Sequence, residues 1–275
     1  ALDRPREFLL RAIKSADVLR RRVLRIPEHS DAYRVVHAEG DDLPGLVVDR
    51  LGPVLVCEHH SLGFWQLRAD VEWALRQLYP DLPVVHRFPR TAAKSEGVPE
   101  LGDAAAGEGQ DARPEPVRIR ERGLAFEVVP AGGHKTGWFC DQRENRFELG
   151  RLCAGRDVLD LFTNHGGFAL QAAAAGARSV TGVDLDEVVL ERARASAALN
   201  GLAVDWIHRD AFDHLRDVRS AQRKPDVIVV DPHKLIPNKL RAELGKKKSL
   251  DLNALAIDAV RPGALRDPVC AVGMF

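Results

Sequence analysis

Several things are scarce or missing in this 275-residue chain, and each narrows what it does. It has no charge excess: 40 Lys and Arg against 40 Asp and Glu leave a formal net charge of +0. The chain as a whole is therefore no polycation, and contact with nucleic acid has to rest on local patches. No run of about eighteen apolar residues occurs, so a membrane span is not expected. The opening residues, with Asp3, Arg4, Arg6 and Glu7, do not read as a secretory signal; because the chain begins at Ala1, further sequence is expected upstream. The four cysteines, Cys57, Cys140, Cys153 and Cys270, show no C-x-x-C spacing. That argues against a zinc ribbon or a disulfide framework and predicts a cytoplasmic location; no metal is expected. Absent too is a G-x-G-x-x-G turn, the usual mark of a dinucleotide site.

What remains is an ordinary globular balance, 45% hydrophobic and 29% charged, long enough for about two domains. Phe8, Leu9, Ala12, Ile13, Ala16 and Leu19 recur at helical spacing, so 1–27 reads as an amphipathic N-terminal helix. Its basic end, Arg20, Arg21, Arg22 and Arg25, is either a solvated face suited to a helix C-terminus or a contact for phosphate. In 28–90, short β-branched runs at 33–37, 45–49, 54–58 and 84–88 surround a helix over 64–78, giving a small α+β domain. The stretch 91–116, rich in Gly, Ala, Pro and acidic residues, reads as a linker. From 117 to 275 a hairpin (117–119 and 125–129, with a further strand at 138–139) and a helix over 141–152 lead into strands alternating with helices. This alternation predicts an α/β fold with a doubly wound, Rossmann-like parallel sheet.

The most informative stretch lies inside that alternation. Val158, Leu159, Leu161 and Phe162 form a short apolar run suited to a strand covered on both faces. Asn164, His165, Gly166 and Gly167 follow as a turn whose glycines let a ligand approach the backbone, then a helix over 169–175, then a second strand ending at Asp184, followed by Leu185. A carboxylate about twenty residues beyond the glycines suits a ribose diol. Lacking a pyrophosphate cradle, the turn favours S-adenosylmethionine over a dinucleotide. Asp160, Phe162, Asn164, Gly166 and Gly167 would meet its amino acid head, Asp184 and Leu185 its ribose side, and Asp210, Ala211 and Phe212 its adenine. Asp160, Asp184, Asp210 and Asp231 all fall at strand ends, so four carboxylates should line one edge of the sheet.

Two further segments carry a family resemblance. Gly133-His134-Lys135-Thr136-Gly137-Trp138-Phe139-Cys140-Asp141-Gln142-Arg143-Glu144-Asn145-Arg146 and Asp231-Pro232-His233-Lys234 resemble the G-x-K-T-G-x-x-x-D-Q-R-x-N-R and D-P-P-K motifs of the RlmI-like ribosomal RNA large-subunit cytosine-C5 methyltransferases. Asp31-Ala32-Tyr33-Arg34 and the stretch from Asp42 to Arg50 match the middle domain of that family, which joins a PUA domain, a strand-strand-helix-strand-strand domain and a class I methyltransferase domain. Against it, the chain is expected to lack the PUA domain and the C-terminal end of the methyltransferase sheet. The resemblance implies that Lys135, Thr136, Gly137, Gln142 and Arg143 face the carboxylate of the cofactor, where an ammonium, a hydroxyl and a guanidinium are suitable donors. Otherwise Asp141 caps a helix and the arginines are surface charges.

The resemblance also implies chemistry. Carbon 5 of cytosine becomes nucleophilic once a thiolate adds at C6, and the base must be unstacked to reach the pocket. Asp231 would bind that base, and Cys270 is the one thiol in the family's catalytic neighbourhood. His233, where the family has proline, is a wall of the base pocket or a surface residue. The expected activity is methylation of ribosomal RNA, with Lys246, Lys247 and Lys248 as phosphate contacts or a solvated run. A guanine-directed methyltransferase and a cofactor-binding module without catalysis are the alternatives; the oligomeric state, including a homodimer, stays open.

Overall fold

Leu9, Ile13 and Ala16 are buried along one face of the first helix, α1 (Pro5–Val18), the burial their spacing predicts. The structure, a computed structural model, describes residues 4–102, 104–106, 115–132, 135–222, 224–232 and 242–262. Two units divide the chain, Ala1–Asp141 and Gln142–Phe275. Among the described residues no helix is long and apolar enough to cross a membrane.

In the first unit α1 covers a five-stranded sheet of β1 (Ala32–His37), β2 (Leu46–Leu51), β3 (Val54–His59), β4 (Val84–Phe88) and β5 (Ala104–Ala106), in that order. Neighbours are antiparallel except β3 and β4, because a parallel pair needs a crossover. That crossover is helical, α2 (Leu62–Gln66) and α3 (Arg68–Leu78). The single helix expected over 64–78 is thus two, the first starting where the Ser61 hydroxyl accepts the Phe64 N–H at 3.3 Å. Leu9, Ile13 and Ala16 join Val71, Ala74 and Leu75 of α3 and Val36, Val48 and Leu55 of the sheet in one core.

Beyond Val18 the helix loosens into a π turn, Leu19–Val23. There Arg20 grips both oxygens of Asp41, at 2.5 and 2.8 Å, with its side chain 11% exposed. It is neither a solvated charge nor a phosphate contact. Arg21 sits 3.7 Å from Asp17 and Arg25 2.6 Å from Glu28.

The stretch expected to be a linker contains structure. α4 (Arg90–Ser95) buries Ala92 and Ala93 against Trp65 and Phe88, and β5 adds to the edge of β4. Alanine-rich sequence hides this, since it has little apolar contrast from which to read a period. The hairpin of β6 (Val117–Glu121) and β7 (Leu124–Val128) belongs to the first unit, where Glu121 bridges to Ser30. Trp138, expected in a strand, lies in a bend, buried, its ring centre 4.8 Å from that of Phe126.

In the second unit β8 (Asp157–Leu161), β9 (Ser179–Asp184), β10 (Asp205–His208) and β11 (Val227–Val230) form an all-parallel sheet, β10-β9-β8-β11. Helices α5 (Arg143–Arg151), α6 (Gly167–Ala174), α7 (Glu187–Asn200), α8 (Ala211–Ser220) and α9 (Ala242–Ala259) complete it. Alternate strand residues go to opposite faces. Val158, Val180, Val227 and Val229 pack on Leu149 of α5 and on Phe168, Ala169 and Ala172 of α6. Leu159, Leu161, Val183, Ile228 and Val230 pack on Ala211 and Leu215 of α8 and on Leu252 and Ala256 of α9. Each buried Val or Leu contributes roughly 1.5–3 kcal/mol. Strand order reverses at β8, so the crevice of such a sheet opens beyond its carboxyl end.

Candidate functional site at the carboxyl end of the second sheet

Three residues in the turn after β8 take up left-handed backbone: Phe162 (φ 57°), Asn164 (φ 50°) and Gly166 (φ 77°). Glycine does this freely; a phenylalanine pays with strain, which collects at ligand-binding turns. Asp160, in β8, is 1% exposed. One of its oxygens accepts the Thr163 hydroxyl at 2.5 Å and the Ala169 N–H at 3.1 Å, tying strand, turn and α6 together. The other, Oδ1, is buried with no hydrogen-bond partner. Burial pushes this carboxyl up to about 7, against the pull of the two hydrogen bonds and helped by Asp231 and Asp184. A carboxylate with an open acceptor, short of positive charge, suits an ammonium group.

Asp184 ends β9 and is half-buried. Its Oδ2 accepts the Asn164 N–H at 2.8 Å and its Oδ1 the Asp186 N–H at 3.0 Å. Each oxygen keeps acceptor capacity, so the residue can shape the turn and still take a diol. The Asn164 side-chain oxygen is engaged by His165, through its N–H at 2.9 Å and its ring. Burial, with Arg192 nearby, lowers His165 to about 4, so this imidazole is neutral and no proton carrier near pH 7.

The glycines of the site have a use the sequence did not show. A Cβ on Gly166 would stand 2.5 Å from the Trp206 ring, and one on Gly182, in β9, likewise 2.5 Å from it. Trp206 faces Gly182 across the β9–β10 pair, so at least Gly166 is kept small by an indole behind the turn. The signal in the sequence was a glycine in mid-strand, which often marks close approach.

Asp210 accepts the Phe212 and Asp213 N–H groups at 2.9 and 3.2 Å, capping α8. Ala211 is 4% exposed and lies in the core beneath the sheet, so its side chain is not open to an adenine. Phe212 is half-buried, and Leu185 is 65% exposed beside Asp184. Asp231 follows β11, and its Oδ2 accepts from Gln142 Nε2 at 3.2 Å. Arg143 pairs with Glu144 at 2.9 Å.

Lys135, Thr136 and Gly137 of the long motif are engaged within the first unit. Lys135 Nζ lies 2.7 and 2.9 Å from the Asp141 carboxylate and 4.5 Å from the Phe139 ring centre, while its carbonyl accepts from Arg87 at 2.7 Å. Thr136 is wholly buried and donates to Asp49 at 2.6 Å, the carboxylate that also holds Arg34. Gly137 (φ 113°) could not carry a Cβ, which would meet the Val129 carbonyl oxygen at 2.2 Å. Asp141 pairs with Lys135 rather than capping α5; the residue before α5 is Gln142, which makes no capping bond. Cys57, Cys140 and Cys153 are buried, burial pushing Cys57 up and Cys153 to about 11, so neither of those two is a thiolate near pH 7. Gly133, His134, His233, Lys234 and Cys270 lie outside the described residues.

Known proteins resemble this chain in sequence and in fold. The model of the S-adenosylmethionine-dependent methyltransferase family matches residues 103–241. The protein named ribosomal RNA large subunit methyltransferase I of Aeromonas salmonicida is 36% identical over 262 residues, 94% of this chain and 65% of its own length. Its namesake from Shewanella amazonensis is 36% identical over 266 residues, 96% of this chain and 66% of its own length. The chain thus spans just under two thirds of these relatives. A crystal structure of a methyltransferase complexed with SAH superposes with TM-score 0.75 at 23% identity, covering 93% of this chain and 65% of that one. A SAM-dependent methyltransferase from Streptococcus mutans gives 0.71 at 21%, covering 92% and 72%.

Proposed function

Because this chain belongs to the S-adenosylmethionine-dependent methyltransferase family, we propose that it methylates large-subunit ribosomal RNA, and that the base is a cytosine modified at C5. The observation that carries the cofactor site is the buried, partnerless Oδ1 of Asp160 at the strand where the sheet order reverses. An ammonium group supplies what that oxygen lacks. S-adenosylmethionine, when bound, provides a methyl group made electrophilic by its sulfonium.

The chain's own residues do the rest. Asp160 and the strained 162–166 turn hold the amino acid head; Asp184 accepts from the ribose hydroxyls; Leu185 and Phe212 offer apolar surface to the adenine. Arg143, at the start of α5, donates to the cofactor carboxylate. Lys135, Thr136 and Gly137 act by shaping the first unit, where their groups are engaged. Asp231 accepts from the exocyclic amine of the base, an N–H donor that cytosine presents. Cys270 is assigned as the thiolate that adds to C6; once C5 carries the methyl group, a base removes the C5 proton, the C6–S bond breaks and the thiolate is released. Substrate and reaction fit a protein of the cytoplasm.

Incubating the chain with radiolabelled methyl donor and deproteinised ribosomal RNA, followed by nucleoside analysis, tests this directly. Label in 5-methylcytidine is the expected result. Label in a methylated guanosine overturns the C5 assignment, and cofactor binding without label in any RNA overturns the enzymatic one.

A further inference from the structure

Gln142 occupies the residue before α5, where side chains commonly cap the helix by accepting one of its first N–H groups. It does not cap. Its Oε1 accepts from Asn145 Nδ2 at 2.7 Å, and its Nε2 donates to Asp231 Oδ2 at 3.2 Å. Asn145 lies three residues on, one turn along the same helix, which brings the two amides together. An amide whose oxygen is already engaged has its orientation set: nitrogen toward Asp231, oxygen away from it.

Gln142 and Asn145 therefore make a two-link chain ending on one oxygen of the carboxylate assigned to the base. From this geometry we infer that Gln142, oriented by Asn145, is a positioning residue for Asp231 and not a ligand of the cofactor. The inference rests on the reading of Asp231 as the base-facing acceptor. Its physical content is directional. A carboxylate at the end of a strand turns about its side-chain bonds; a donor fixed on Oδ2 holds the group in one orientation and favours its charged form. Asp160 and Asp231 repel each other, which raises the cost of both being charged. The N–H that Gln142 donates to Asp231 eases that cost.

The test compares the parent chain with Gln142→Ala, Asn145→Asp and Asp231→Asn in three measurements. These are the affinity for S-adenosylhomocysteine by calorimetry, kcat and KM on ribosomal RNA at saturating methyl donor, and titration of the Asp231 carboxyl by carbon-13 NMR. For Gln142→Ala we expect cofactor affinity to stay within about twofold, kcat to fall about 10- to 100-fold and the Asp231 carboxyl to titrate at higher pH. Asn145→Asp should lower kcat as well, because a carboxylate facing Oε1 turns the amide round and presents its oxygen to Asp231. An affinity loss of about tenfold or more in Gln142→Ala with Asp231 unmoved would overturn the inference in favour of a cofactor contact. So would parental kcat and titration in both variants. Should Asp231→Asn keep parental turnover, the base-facing reading fails, and the titration still decides whether Gln142 holds Asp231.

Discussion

Asp157 and Asp160 stand three residues apart in one strand and are almost equally hidden, 5% and 1% exposed, yet their surroundings are opposite. Asp157, at the amino end of the sheet, receives two nitrogens of Arg178 at 2.7 and 2.8 Å and the Ser179 hydroxyl at 2.7 Å; neighbouring Asp226 is held by Arg178 and Arg261, each at 2.9 Å. Asp160, at the other end, has a hydroxyl and an amide, and among the described residues no cation within 4 Å is recorded for it or for Asp184. One end of the sheet is balanced for stability. The other is short of positive charge, and a cationic ligand makes good the difference.

The sharpest way to break this contrast is through pH. The folded-state carboxyl of Asp160 is raised to about 7, so its stabilising share is whole below the ordinary carboxylate range and is lost as pH rises through 7. Relative to Asp160→Asn, the cofactor-free parent should lose on the order of 4 kcal/mol between pH 4 and pH 8, read by urea unfolding at both values. Parallel curves for the two proteins would end the argument. Removing an acceptor without touching the fold's balanced end comes next. Asp184→Ala should weaken S-adenosylhomocysteine binding about 10- to 100-fold in calorimetry, whereas an unchanged affinity would move the ribose elsewhere. At the opposite end, Asp157→Ala should cost about 2 kcal/mol in denaturant unfolding, since Arg178 remains half in water and keeps its solvation. Cofactor affinity should hold, and if it fell instead the two ends would not be independent. The smallest effect, about 1–2 kcal/mol of stability, is expected for Gly182→Ala, which forces the Trp206 ring off β9. Tryptophan fluorescence should shift with it.

Much of the fold was legible because it is local. The apolar run of β8 read as a strand covered on both faces, and the two cores sort it residue by residue, Val158 to one and Leu159 and Leu161 to the other. Asp160, Asp184 and Asp231 were legible as strand-end carboxylates, and the family was legible in the motifs at 133–146 and 231–234. The role of each motif residue was not. Thr136 looks like a cofactor donor until Asp49, 87 residues away, is found accepting its hydroxyl. Ala211 stands beside a helix cap in sequence and inside a core in space. The linker reading failed where alanines gave no contrast, and the arginine run failed at Arg20, whose partner, Asp41, lies 21 residues on in a short 3-10 helix.

Periodicity, strand-end acids and a glycine turn are properties of neighbours along the chain, so the sequence alone sufficed for the alternation of strands and helices beyond Asp157, the parallel sheet and the methyltransferase family. Only the tertiary structure decided that Trp206 sits behind the turn, that Asp160 is buried without a cation and that Gln142 points at Asp231. Those are through-space facts: desolvation, steric exclusion and hydrogen-bond direction depend on which distant residues fill the surrounding volume, and no local pattern encodes that.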